Sequence, residues 1–339
     1  MKHPKKIDKE MIIEPRKRYS HMPDKNRLYD CIVIGSGVAG YSAAMYAARL
    51  GLKTLIIGEV PGGTIALTGT VENYPGFVSI DGQMLAQLLE NHAMDYDVDM
   101  LTDIVENINY DKNKKIFTTH TEKKFFRSRT IVLTTGADVK KLGAPGEEEF
   151  FGRGVSYCAL CDATTVKGKT VAVAGGGDSA VKETVLLTEY AKKVYIINNE
   201  KDIHPESSNY VRLKEMARKG KIEVINGTEI TEIKGRKRIE SVVLSRKYRG
   251  KEELVLEALF IYIGRLPKSE LAKTLGAKLN HNGEVIVNSN SETNVPGFFA
   301  AGDVTNTEWK QAIIGVSQGV TAAYYAYQFI NNLGGVGNR

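Results

Sequence analysis

Two short glycine runs do most to limit what this chain can fold into. Gly35-Ser-Gly37-Val-Ala-Gly40 follows Tyr29-Asp-Cys-Ile-Val-Ile, a buried-strand pattern, and leads into an Ala-rich helix predicted over 41–50. Gly175-Gly-Gly177-Asp178-Ser179-Ala180 follows Thr170-Val-Ala-Val-Ala and leads into a helix predicted over 181–190. In each run the first small residue permits a tight turn and the second lets backbone approach a pyrophosphate. The third lets helix and strand pack closely, so that the helix N-terminus faces the phosphates. Such a run means little alone; a strand before it and a helix after it give it weight. Two of them imply two dinucleotides, one per domain, and 339 residues suffice for about two domains. The expected fold class is α/β with two Rossmann-like dinucleotide-binding domains.

The run Lys53-Thr-Leu-Ile-Ile-Gly-Glu59 reads as the second strand of the first unit. Its Glu59 is either a ribose-binding acid or an ordinary turn acid. Pro61-Gly62-Gly63-Thr64 and Glu72-Asn73-Tyr74-Pro75-Gly76 are turn chemistry. Residues 84–96 have helical spacing, and strands are expected over 116–119 and 130–135, the latter running into Gly136. In the second unit, Lys193-Val-Tyr-Ile-Ile ends in Asn198-Asn199-Glu200-Lys201, where a ribose 2′-hydroxyl or 2′-phosphate would be read, and no arginine stands there. His204 reads as a surface histidine. Alternating segments over 222–262 are expected to complete the second unit's sheet. Near the end, Phe298–Ala301 reads as a buried strand running into Gly302-Asp303, ahead of a small-residue helix over about 311–330. That junction is either a second backbone approach to a cofactor or a plain strand-helix turn.

Tyr157-Cys158-Ala-Leu-Cys161-Asp162 carries the reactive chemistry. Cys-x-x-Cys spacing allows a reversible disulfide, and Asp162 stands next to it as a candidate proton carrier. The competing reading is half a zinc site, but Cys31 and six scattered histidines supply no second ligand pair. Cys31 lies inside the first strand and reads as a core residue. No metal site is expected. Neither a membrane span nor a secretory signal is suggested, which makes the cytoplasm the expected location. The net charge of +6 is concentrated in residues 1–28, with nine Lys/Arg against four acids, and reads as a solvated basic extension or a handle for an anionic partner. Nucleic-acid binding is not expected.

Taken in order, the motifs resemble the low-molecular-weight thioredoxin reductases over roughly residues 29–333. The matching pieces are Gly35-x-Gly37-x-x-Gly40, Gly62-Gly63 with Glu72-Asn73-Tyr74-Pro75-Gly76, Thr135-Gly136-Ala137, and Leu142-Gly-Ala-Pro-Gly146-Glu147. To these are added Cys158-Ala-Leu-Cys161-Asp162, the second glycine run, Phe260-Ile-Tyr-Ile-Gly264, and Val295-Pro-Gly-Phe-Phe-Ala-Ala-Gly302-Asp303. As in that family, the cysteine pair precedes the second run and so belongs to the nicotinamide domain. The resemblance implies a homodimer whose FAD domain, 29–140 and 267–339, is interrupted by a nicotinamide domain over 141–266. It assigns Gly35, Gly37, Gly40, Glu59, Gly63, Thr64, Asn73, Gly136, Gly302, Asp303, Gln311 and Ala312 to FAD. Gly175, Gly177, Asp178, Ser179, Ala180 and Asn198 fall to the nicotinamide dinucleotide. Cys161 would face the flavin, Cys158 would attack the partner's disulfide, and Asp162 would serve as acid and base. The inserted domain would turn between two states to serve one flavin with both donor and disulfide.

The implied activity is reduction of thioredoxin or a thioredoxin-fold protein through FAD, with NADH or NADPH as donor. The family's guanidinium fork for a 2′-phosphate is absent at 198–201, which favours NADH. Ala163 and Lys310 are smaller departures, at positions where the family often has glycine and arginine. A deazaflavin or ferredoxin donor, another disulfide acceptor, and a non-catalytic flavin-bearing redox sensor are the rival readings.

Overall fold

The structure, a computed structural model, describes residues 23–67 and 70–333; the side chains of Thr70, Leu160 and Cys161 also lie outside the description. Most of the basic extension expected over 1–28 therefore lies outside the described residues.

The chain divides into two compact units, Asp138–Leu266 forming one and the described residues on either side forming the other. The flanking unit begins with β1 (Leu28–Ile34), α1 (Val38–Arg49) and β2 (Thr54–Ile57). It continues through a small pair, β3 (Thr70–Val71) and β4 (Ile80–Asp81), to α2 (Gly82–Met94). Strands β5 (Asp99–Leu101), β6 (Val105–Asp111), β7 (Ile116–Thr121) and β8 (Phe125–Leu133) follow. Strand β9 (Ala137–Val139) leads out of this unit.

The inserted unit contains β10 (Val155–Ser156), α3 (Ala159–Asp162), β11 (Thr170–Ala174), α4 (Asp178–Leu187), β12 (Lys193–Ile197), α5 (Ser207–Arg218) and β13 (Ile222–Ile225). Then come β14 (Ile230–Gly235), β15 (Ile239–Tyr248), β16 (Lys251–Val255) and β17 (Ala258–Ile261). Strand β18 (Arg265–Pro267) pairs with β9 and returns the chain to α6 (Glu270–Thr274), β19 (Phe298–Ala300) and α7 (Ala312–Asn332).

The flanking unit is built on a sheet ordered β5-β2-β1-β8-β7-β6, with β19 also pairing β8. Strand β1 lies parallel between β2 and β8, with Cys31 opposite both Thr54 and Thr130. A strand buried on both faces must be apolar throughout, as this one nearly is. Cys31 is fully buried, and that burial pushes its thiol up to about 12, so it packs as a small apolar side chain. On one face of the sheet, Ala39, Ala43 and Ala47 of α1 meet Ala322, Ala323 and Ala326 of α7. Small residues let the two helices close up: a Cβ on Gly319 would sit 2.3 Å from the Ala39 carbonyl oxygen. The opposite face buries Tyr29, Phe117, Phe126 and Phe298.

The inserted unit has a parallel sheet ordered β10-β17-β11-β12-β13 and, separately, an antiparallel sheet ordered β14-β15-β16. The expectation of one sheet drawn from 222–262 is corrected here. Strand β17 is wholly buried and β13 is buried at both ends, as suits a covered parallel sheet, whereas β14 and β15 bury one side only, as an antiparallel layer does. Phe150, Ile233, Val242 and Leu254 fill the space against Ala172, Ile197 and Leu259.

Gly319→Ala should separate α1 from α7 and cost about 1–3 kcal/mol, the range for an overpacked core. Denaturant unfolding followed by circular dichroism measures it, and an unchanged midpoint would contradict the close approach.

Candidate active site

In the flanking unit, the β1–α1 turn is shaped by what it cannot hold. A Cβ at Gly35 would lie 2.3 Å from the Thr134 carbonyl oxygen, and one at Gly40 would lie 1.9 Å from that of Gly35. Gly35 also adopts a φ of 109°, closed to most side chains. Gly37 is different: a Cβ there meets nothing, and as N-cap of α1 it makes no side-chain cap. The start of α1 thus has no side-chain cap from Gly37 and room beside that residue, an arrangement that suits a pyrophosphate.

Other parts of the unit converge on this turn. Gly62 donates its N–H to the Ser36 carbonyl at 2.9 Å, and a Cβ on Gly63 would lie 3.1 Å from the Cα of Gly37. Glu59 and Thr64 lie exposed on either side of these glycines, Glu59 two residues beyond β2. Gly302 approaches Ala39, its N–H donating to Gln318 Oε1 at 2.8 Å. Asp303 follows it, with the Lys310 ammonium on its carbonyl at 3.3 Å. Lys310 also reaches the Thr305 carbonyl and the Glu284 carboxylate, the latter at 2.7 Å. The Glu284 carboxyl is held below the usual carboxylate range: burial opposes this, but the Lys310 and Asn280 hydrogen bonds outweigh it. Asn73 Nδ2 donates to Gln311 Oε1 at 2.9 Å across a separation of 238 residues, immediately before Ala312 opens α7. Gly136 stands beyond the end of β8 at a φ of 70°.

In the inserted unit the second turn repeats the logic. Gly175 has no room for a Cβ, which would lie 2.1 Å from the Tyr262 carbonyl oxygen. Gly177 is open and caps α4 without a side-chain bond, Ser179 is exposed, and Ala180 is buried. Asp178 accepts from the Glu206 N–H at 2.7 Å and from Asn209 Nδ2 at 2.8 Å, so its carboxylate joins the starts of α4 and α5.

Asn198 directly follows β12. Only 2% exposed, it donates to the carbonyls of Glu200 and Asp202 at 3.2 and 2.9 Å. Its Oδ1 lies where a Cβ on Gly176 would go. The side chain holds the following loop against the glycine turn. That loop displays Glu200, whose carboxylate meets His204 Nε2 at 3.1 Å with both side chains largely exposed.

Cys158 is disulfide-bonded, so its sulfur is no zinc-ligating thiolate. No group of His, Cys, Asp or Glu among the described residues is arranged to hold a metal ion. The side chain of Cys161 lies outside the described residues; its backbone is part of α3. The Cys158 N–H donates to Ser156 Oγ at 3.0 Å, and the Ala159 N–H donates to the Tyr262 hydroxyl at 2.7 Å. Asp162 closes the turn, its N–H reaching the Cys158 carbonyl at 3.3 Å. Tyr157 donates its hydroxyl to Glu147 Oε1 at 2.7 Å, and the Glu147 carboxylate also accepts the Leu142 and Gly143 N–H groups.

Behind Tyr262 lies Glu183 of α4. Burial raises its carboxyl above the usual range, and its Oε2 has no hydrogen-bond partner among the described residues. Burial first, then the nearby Glu183 charge, also raises the Tyr262 hydroxyl.

The FAD residues expected from sequence thus all lie in the flanking unit, and the cysteines and nicotinamide residues in the insert. Sequence reasoning missed Gln318, Tyr262, Glu183 and the Glu147–Tyr157 pair as site residues, because no local pattern marks partners this far apart.

The family Pyridine nucleotide-disulphide oxidoreductase matches residues 29–319. A thioredoxin reductase of Bacillus subtilis (strain 168) is 36% identical over 311 residues, 91% of this chain and 97% of that protein. The chain belongs to the thioredoxin reductase family. Among solved structures, the Lactococcus lactis thioredoxin reductase gives a TM-score of 0.83 at 35% identity, covering 90% of this chain and 99% of its own. That of T. acidophilum gives 0.82 at 35% identity, covering 89% and 98%. The family works with FAD and a pyridine nucleotide, and both open glycine turns fit such groups. Among the described residues, no helix is long and apolar enough to cross a membrane.

Because the folded chain holds the Glu183 proton more tightly than the unfolded chain does, this residue's contribution to stability falls as pH rises from the ordinary carboxylate range through its raised value. Glu183→Gln removes that loss. Its melting temperature relative to the parent should climb as pH rises above the ordinary carboxylate range, as read by calorimetry; a constant difference would refute the assignment.

Proposed function

We infer that this chain is a thioredoxin-disulfide reductase that takes electrons from a pyridine nucleotide and delivers them, through FAD, to a protein disulfide. The observation that supports it most is the Tyr262 linkage. One residue closes the second glycine turn with its backbone and the disulfide segment with its hydroxyl, so the two belong to one compact unit. In this reading FAD lies against Gly35, Gly37, Gly40, Gly63, Gly302 and Asp303, with Glu59, Thr64, Asn73, Gly136, Gln311 and Ala312 around it. FAD held there would supply the two-electron chemistry that links a nicotinamide hydride to the disulfide.

The protein's own part begins when the Cys158–Cys161 bond breaks, taking up two electrons and a proton. Cys158 as thiolate then attacks one sulfur of the partner's disulfide, releasing the other partner sulfur and forming a mixed disulfide. Cys161 resolves that bond, the partner leaves as a dithiol, and the Cys158–Cys161 disulfide re-forms. Asp162 carries a proton to the departing thiolate. Gly175, Gly177, Ser179 and Ala180 hold the nicotinamide dinucleotide, with Asp178 and Asn198 fixing the segments around it. The FAD domain is taken as 29–140 with 267–339 and the nicotinamide domain as 141–266, in a cytoplasmic homodimer.

The donor is NADH. Asn198-Asn199-Glu200-Lys201 offers no guanidinium, and the exposed Glu200 carboxylate repels a 2′-phosphate while being able to accept from a 2′-hydroxyl. Anaerobic titration of the yellow protein should bleach the flavin with NADH at a kcat/KM about tenfold or more above that for NADPH, and Glu200→Arg should narrow the gap. Equal efficiency, or bleaching by neither, rejects this donor. Cys158→Ser and Cys161→Ser should each retain flavin bleaching but lose turnover with oxidised thioredoxin; turnover surviving either change refutes the mechanism.

A further inference from the structure

The loop after β12 sets a charged pair against the second glycine turn. The His204 N–H donates to the Gly176 carbonyl at 2.7 Å, and the backbones of His204 and Gly177 bridge in parallel. Gly177 is the open glycine of that turn. The other end of the loop is held from within. Asn198 Nδ2 donates to the Glu200 and Asp202 carbonyls, and the Glu200 carbonyl also accepts the Gly227 N–H at 2.8 Å. Backbone is therefore fixed at both members of the pair, while their side chains, 63% and 68% exposed, meet at 3.1 Å between Glu200 Oε2 and His204 Nε2. Such exposure leaves both within reach of a ligand. In a unit of this kind the acid that reads an adenosine ribose stands beyond the second strand, about 20 residues after the glycine run, and Glu200 occupies that place. The other charged groups around the pair come from four elements. Lys201 and Asp202 lie exposed in the same loop, and Glu206 caps the start of α5. Asp178 opens α4, its carboxylate taken up by the Glu206 N–H and Asn209. Arg246 of β15 places Nη1 3.4 Å from where a Cβ on Gly227 would stand.

We propose that His204 is a positioning residue that decides, through Glu200, how strictly the site rejects a 2′-phosphorylated dinucleotide. The inference rests on the reductase reading, which puts the donor at the second glycine turn. With a neutral imidazole the pair carries one negative charge. The Glu200 carboxylate then accepts from a ribose 2′-hydroxyl and repels a 2′-phosphate. With an imidazolium the pair sums to zero, and His204 Nδ1–H is left to donate to a phosphate oxygen while Nε2–H stays on Glu200. A neutral amide at this position could hold Glu200 but could never cancel its charge. Histidine can, because its charge comes and goes between about pH 5 and pH 8. Discrimination between NADH and NADPH is therefore strict on the alkaline side of that range and relaxed on the acid side.

Anaerobic stopped-flow bleaching of the flavin in the full-length holoenzyme tests this, with NADH and NADPH each supplied at about pH 6 and about pH 8. The quantity read is the ratio of the second-order bleaching rate with NADH to that with NADPH. In the parent this ratio should fall about threefold or more at the lower pH, the scale of one exposed charge pair. A 2′-phosphate takes up its own proton near about pH 6, which moves the ratio equally in every variant. His204→Gln keeps a donor for Glu200 but does not titrate. It should retain only that background, so that its ratio at the lower pH stands about threefold or more above the parent's. His204→Arg, charged at both pH values, should lower the ratio at about pH 8 toward the parent's acid value. Bound-flavin absorbance shows that each variant is folded and loaded. A His204→Gln ratio as sensitive to pH as the parent's, or a parent-like ratio in His204→Arg at about pH 8, overturns the role of His204 and leaves the reductase reading intact. Failure of the parent to bleach with either nucleotide overturns the donor reading and this inference with it.

Discussion

The hydrogen bond from the Ala159 N–H to the Tyr262 hydroxyl does more than fill a valence. Helix α3 has four residues, too few to satisfy its own first donors, and Ala159 is fully buried. An unpartnered donor there would cost about 1–3 kcal/mol. The phenol that removes this cost comes from a residue whose N–H is bonded to Ala174 at the end of β11 and whose carbonyl closes over Gly175. The disulfide is thereby tied to the glycine turn through one side chain and one strand end. A small loop movement cannot bring one of them forward without the other.

The same economy explains why both glycine turns combine crowded and open positions. Gly35, Gly40 and Gly175 are excluded from carrying a Cβ by backbone oxygens about 2 Å away, so they are demanded by folding. Gly37 and Gly177 meet nothing, and folding alone would accept alanine at either. Residues that the fold does not need, placed at uncapped helix starts, are what a ligand with phosphates would need. The fit to dinucleotides therefore rests on the two open glycines more than on the crowded ones.

What could be read from the sequence follows the range of each interaction. Glycine turns, the Cys-x-x-Cys pair and the buried strand around Cys31 are local patterns, and each appears where it was expected. Helices α1 and α4 begin at Val38 and Asp178, three residues before their predicted starts, because the last small residue of each run is already helical. Gln318 on Gly302, Tyr262 on Ala159 and Gln311 on Asn73 link residues 16, 103 and 238 apart, and no spacing rule reaches them. Asn198 follows a strand, and its burial and partners could not be read from its position alone. Its amide turns inward because Gly176 leaves room for it, and that vacancy is visible only in three dimensions.

Lys310 shows how a departure from a family pattern is absorbed. Its ammonium sits among three oxygens, the Asp303 and Thr305 carbonyls and the Glu284 carboxylate. A compact cation with three rotatable donors suits three converging acceptors, whereas a planar guanidinium favours two parallel ones. The charge is partly buried, and Glu284, itself bonded by Asn280, balances it. The ammonium thus ties the segment after Gly302 to the approach of α7, as Gln318 ties Gly302 itself to the body of that helix. One bond holds the Asp303 backbone and the other the Gly302 backbone, so the turn between β19 and α7 is fixed at two successive residues.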